Sequence, residues 1–73
     1  MLIRFSEVGH DKKSWEAEIP MIDGALDGAA MLKSIRKSGA LMSREVECTE
    51  DGLIVVGTFG RPVGKWAMPV ERN

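Results

Sequence analysis

The sequence predicts an α+β fold: one helix laid across a five-stranded antiparallel sheet, in the order β-β-α-β-β-β. Three observations carry this. Only residues 23–39, DGALDGAAMLKSIRKSG, place their apolar side chains at helical spacing. The runs on either side alternate apolar and polar residues, as half-buried strands do. Segments rich in glycine and polar residues separate those runs.

The N-terminal run from Leu2 to Val8 sets Ile3 and Phe5 on one face, Arg4 and Ser6 on the other. Gly9-His10-Asp11-Lys12-Lys13 interrupts it as a hairpin loop would. Ser14 to Ile19 alternates again, with Trp15, Ala17 and Ile19 inward and Ser14, Glu16 and Glu18 outward. Pro20 ends that strand, because proline has no N–H for the ladder.

The helix is expected from Leu26 to Ser38, capped by Asp23 or Asp27. Gly28, Met31, Leu32 and Ile35 form its inner stripe at 100° per residue. Lys33 and Lys37 face outward with Arg36 beside the stripe, and Gly39 follows as the terminating residue. The stripe should pack on Ile3, Phe5, Trp15, Ile19, Val46, Val55 and Trp66. In such a core Leu32→Ala is expected to cost about 2–5 kcal/mol.

Leu41 to Cys48 is expected as a third strand, with Met42, Val46 and Cys48 on one face and Arg44 as the exception. Glu50-Asp51-Gly52 reads as a tight turn. Leu53 to Phe59, with Ile54, Val55 and Val56 all β-branched, reads as the central strand. Residues 60–64 read as a second turn. Lys65 to Val70 closes the sheet as an edge strand, on the argument that Pro69 belongs at an edge.

Size and charge narrow the function. Seventy-three residues suffice for one domain, 1–73, which buries about 60% of its unfolded surface. A composition 44% hydrophobic, spread in short periodic runs, belongs to a globular chain and not a disordered one. Ten basic residues against eleven acidic leave a net charge of −1, without the cationic excess of a phosphate-gripping protein. A single cysteine forms no internal disulfide, which favours a reducing compartment. No run suits a signal peptide or approaches the roughly 20 apolar residues of a membrane span. The expectation is a soluble, cytoplasmic protein that does not contact the membrane.

The residues that bear chemistry are few. His10 adjoins Asp11, but neighbours in a hairpin point apart, and no nucleophile is placed beside them. Cys48 sits among Glu47 and Glu50, which raise a thiol pKa. One histidine and one cysteine do not make a zinc site. Gly57, Gly60 and Gly64 around Arg61 precede a strand, whereas phosphate loops precede a helix. The chain is therefore expected to be no enzyme and to use no cofactor or metal.

Contact with a larger protein is the expected activity, as in an accessory or inhibitor protein of a phage or mobile element. Candidate partner-binding residues are Arg61 and Lys65 on the last hairpin and Lys33, Arg36 and Lys37 on the helix. Lys12 and Lys13 form a further basic patch. Glu16, Glu18, Glu45, Glu47, Glu50 and Asp51 make an acidic stretch on the exposed sheet face. The alternative is nucleic-acid binding by Phe59, Arg61, Lys65 and Trp66, where aromatics and cations interleave. Homodimerisation by an unprotected edge, either the first strand or the Pro69 strand, is a third possibility.

Overall fold

The computed structural model describes residues 1–41 and 45–68. Its elements are β1 (Leu2–Val8), β2 (Lys13–Glu18), β3 (Met21–Ile22), β4 (Ala25–Leu26), α1 (Gly28–Ser38), β5 (Val46–Cys48), β6 (Leu53–Val56) and β7 (Arg61–Ala67). Five strands form one antiparallel sheet in the order β2-β1-β7-β6-β5, and the α+β expectation holds. The strand residues expected at Met42, Arg44, Pro69 and Val70 lie outside the described residues.

The centre of the sheet is not where the apolar run puts it. β7 is the middle strand, between β1 and β6, and the edges are β2 and β5. Neither β1 nor the last strand is an edge, so neither offers the self-pairing surface expected of it. Pro62 is tolerated in a central strand because it sits at a bulge. The register passes from Ile54↔Gly64 to Val55↔Pro62, leaving Val63 as the extra residue. β6 stops at Val56, and residues 57–60 form the turn that the apolar run would place later.

A second bulge lies in β1, where the register shifts between Phe5 and Val8. Glu7 adopts φ 51, in the left-handed region, and the alternation is reset. Val8 thereby returns to the core face and is fully buried. Its partner across the sheet must be small: a Cβ on Gly64 would lie 2.9 Å from a Val8 methyl and 3.0 Å from its Cα.

The start of the helix also differs. Asp23 and Gly24, both at positive φ, turn the chain between β3 and β4 in a two-residue hairpin. Leu26 is thus used by β4, and α1 begins at Gly28. Asp27 is the cap; its carboxylate accepts the N–H groups of Ala29 at 3.0 Å and Ala30 at 3.4 Å. Gly39 ends the helix in the left-handed region, its N–H donating to the Arg36 carbonyl.

The core comprises Ile3, Phe5, Val8, Ile19, Met31, Ile35, Val46 and Ile54. The helix contributes Met31 and Ile35, while Leu32 is only half-buried beside them. Val55 is buried but stands outside this cluster, as alternation from Ile54 requires. The expected packing is corrected at Val55, which is buried outside the cluster that the helix joins, whereas Leu32 packs against that cluster but only half-buried. Ile35→Ala is expected to cost about 2–5 kcal/mol, and Leu32→Ala clearly less. Urea titrations of the two variants check the order; an equal or larger loss for Leu32→Ala would overturn it.

Candidate functional site

The helix packs most closely on β5, at one edge of the sheet. Toward the opposite edge it leaves a groove of about 730 Å³ between α1 and β2. Trp15, Ala17 and Ile19 from the strand and Ala30 from the helix supply its apolar lining. Lys13, Lys33 and Lys37 also line it, as do Glu16 and Glu18 along the strand edge.

Two hydrogen bonds bridge helix and strand here. The Trp15 indole N–H donates to Ser34 Oγ at 3.0 Å, and Lys13 Nζ donates to the Ser38 carbonyl at 3.1 Å. Trp15 is held from below as well, its ring stacked on Phe5 with centroids 4.8 Å apart and planes inclined by 16°. The indole is therefore fixed by packing on one side and by a hydrogen bond on the other.

Among the described residues, no strand pairs with the outer side of β2. Met1 and Ile19 exchange both backbone hydrogen bonds, at 2.9 and 3.0 Å, which sets the phase of the β1–β2 ladder. Ala17 and Trp15 then face their partners Ile3 and Phe5 across that ladder. The N–H and C=O groups of Ser14, Glu16 and Glu18 turn away from β1, toward the uncovered edge.

A second hollow, of about 430 Å³, lies beside the β1–β2 loop. His10, Lys12, Arg61, Pro62 and Lys65 line part of it. The Lys65 ammonium is paired with Glu7 at 3.4 Å, an exposed contact of small energetic weight. His10 and Asp11 are exposed loop residues.

The fold regroups the charges read from the sequence. Lys12 and Lys13 part: Lys13 joins Lys33 and Lys37 at the groove, and Lys12 joins Arg61 and Lys65 at the hollow. Arg36 is exposed on α1 and lines neither. The acidic stretch is divided, with Glu16 and Glu18 on β2 and Glu47 on β5 at opposite edges. Arg4 on β1 pairs with Glu16 at 3.1 Å.

The aromatic and basic hairpin does not assemble as a stacking surface. Phe59 stands 99% exposed at the turn. Trp66 pairs with Phe5 on the core side, and its indole N–H donates to the Thr49 carbonyl at 2.9 Å. Lys65, its neighbour, faces the other side with Glu7.

Cys48 packs half-buried against the core. Burial, with a smaller contribution from the Glu47 carboxylate, pushes its thiol up to about 11. Because the folded value lies above the unfolded one, the neutral thiol's contribution to stability is complete below about pH 9. It is lost as pH rises toward 11. Iodoacetamide at pH 7.5 is expected to alkylate the native protein far more slowly than the urea-unfolded chain. Equal rates would sink this assignment.

Among the described residues, no three of His, Cys, Asp and Glu come together to hold a metal ion. No helix among them is long and apolar enough to cross a membrane. What the molecule presents is a small α+β domain with a half-open strand edge under a helix. No protein-family model, curated protein or solved structure matches the chain.

Lys33 and Lys37, candidates from the helix pattern, both lie on the groove. The edge position of β2 and the part played by Lys13 were not expected from the sequence. The signal for the first is only the Glu16/Glu18 row, since charged side chains are common on exposed edges.

Proposed function

We propose that this domain is a non-enzymatic protein-binding module that acts by occupying a surface of a larger partner through the α1–β2 groove. One observation carries the reading. Among the described residues, a strand edge with no neighbouring strand borders a groove that is apolar within and lined by Lys13, Lys33 and Lys37. Free edges of this kind bind other chains, and the lysines select among them by charge. The setting we propose is cytoplasmic, and the role that of an accessory or inhibitor protein.

Affinity capture from source-cell extract tests this with two charge-reversed baits. Lys33→Glu/Lys37→Glu is expected to lose the partner that the wild-type chain retains. Arg61→Glu/Lys65→Glu, on the other hairpin, is expected to keep it. Retention by the first bait and loss by the second would move the contact to the hollow.

Nucleic-acid binding is the lesser reading. The meeting of Lys12, Arg61 and Lys65 favours it, while the inward turn of Trp66 removes the expected stacking partner. A single-stranded oligonucleotide that fails to bind at low salt excludes it.

A further inference from the structure

The groove specifies more than contact, and the following rests on the reading just given. We infer that its occupant is a short extended segment of the partner that adds to β2 as a sixth, antiparallel strand. The segment alternates basic side chains on the outer face with acidic and small apolar ones on the groove face.

The geometry of the edge sets the pairing. Ser14, Glu16 and Glu18 turn their backbone groups outward, so they are the residues that bond an added strand. β2 has six residues, a length of roughly 20 Å, which an occupant of six to eight residues matches. Antiparallel addition continues the pattern of every other pair in the sheet.

Charge then sets the chemistry, because the two sides of the edge differ. In a hydrogen-bonded antiparallel pair, opposite residues share a face. Occupant residues bonded to Ser14, Glu16 and Glu18 therefore lie on the outer face beside two carboxylates. Glu16 is paired with Arg4 at 3.1 Å and Glu18 with the N-terminal ammonium at 3.1 Å. Both pairs are exposed, so an added Lys or Arg shares these carboxylates. The residues between them enter the groove. There they meet Trp15 and Ala17, which accept small apolar side chains, and Lys13, Lys33 and Lys37, which accept carboxylates.

The same reasoning disfavours a second copy of this chain. Any antiparallel pairing of β2 with itself through those three residues sets Glu16 against Glu16, Glu18 or Ser14, massing four glutamates on one face. The occupant is a different sequence.

The test uses the whole protein and four synthetic peptides. The probe is the capped octapeptide KVKDKVKD, in which lysines alternate with valine and aspartate. A second peptide has the same residues in block order, KKKKVVDD. A third carries N-methyl groups on alternate lysines of the probe, and a fourth carries them on its valines.

Strand addition predicts that the probe binds and that the amides of Ser14, Glu16 and Glu18 become protected from hydrogen exchange. The lysine-methylated peptide should bind at least about tenfold more weakly, because those N–H groups face β2. The valine-methylated peptide should bind like the probe, since its methyl groups face away. On the protein side, Glu16→Pro removes one outward N–H from an edge strand and should weaken the probe to a similar degree. The peptide series stands alone if that variant fails to fold.

Absence of saturable binding at millimolar probe overturns the inference. So does equal binding of the block-order peptide or of the lysine-methylated one. A dimer of the unliganded chain with the same amides protected would replace the occupant with a second copy. If Lys33→Glu/Lys37→Glu abolishes partner capture while every peptide fails, strand addition falls and the protein-binding reading stands. If capture survives that charge reversal, the reading itself falls.

Discussion

Replacing Phe5 with alanine is expected to lower the unfolding free energy by about 3–5 kcal/mol. Phe5 is fully buried, the largest of the completely buried side chains, and it lies in β1, next to the central strand. It faces Trp15 on one neighbouring strand and Trp66 on the other. Its truncation leaves a cavity that neither indole fills without giving up a hydrogen bond, Trp15 to Ser34 or Trp66 to Thr49. A domain of this size has roughly 4–11 kcal/mol in total, so the variant should be marginally folded or unfolded at 37 °C. Urea denaturation followed by tryptophan fluorescence and circular dichroism measures the loss. A cost below about 1.5 kcal/mol would mean that Phe5 is not the centre of this core.

Gly9→Ala is expected to have the second large effect. Gly9 adopts φ 76, where an alanine costs about 1–2 kcal/mol. A Cβ there would also lie 2.1 Å from the Ala40 carbonyl oxygen, well inside van der Waals contact. Backbone must move to admit it, and the Gly9 N–H bond to the Val63 carbonyl, 2.8 Å, is then at risk. Gly24 offers an internal comparison: it has a similar φ of 80, but a Cβ added there would meet nothing within 4 Å. Gly9→Ala should therefore lower Tm by at least about 8 °C, and Gly24→Ala by distinctly less. Equal shifts for the two would show that the Ala40 contact carries no cost.

Much of the fold is legible in local pattern, and particular residues show why. Ile3 and Phe5, Trp15 and Ala17, and Val46 and Cys48 alternate cleanly, and each pair lies on the core side. Asp-Gly occurs three times, at Asp23-Gly24, Asp27-Gly28 and Asp51-Gly52, and it makes a turn at the first and last while the second opens α1. At Asp51-Gly52 the local pattern identifies the turn. At Asp23-Gly24 the same dipeptide resembles a helix start, because the helical stripe that follows invites a cap. A stripe of Met31, Leu32 and Ile35 drawn at 100° per residue does not say which members sink fully into the core. Met31 and Ile35 are the ones that do.

The candidate site is less legible, since it depends on neighbours distant in sequence. Lys33 and Lys37 are visible as the outer side of a helix. Their joining with Lys13 requires β2 to be an edge and α1 to lean toward β5. No local feature of Lys13 to Glu18 says whether another strand lies beyond it.

The amino-acid sequence by itself determined the number and type of the main elements and the inward faces of β1 and β2, and it narrowed the helix cap to Asp23 or Asp27. These depend on periodicity and on residues that are near one another along the chain. The tertiary structure alone decided that the last strand joins the first at the middle of the sheet. That pairing sends β2 and β5 to the edges, absorbs Pro62 in a bulge, and leaves the Ser14–Glu18 edge open beneath a line of lysines. The physical reason is that strand order is settled by long-range burial and ladder closure, to which hydrophobic alternation within any one strand is blind.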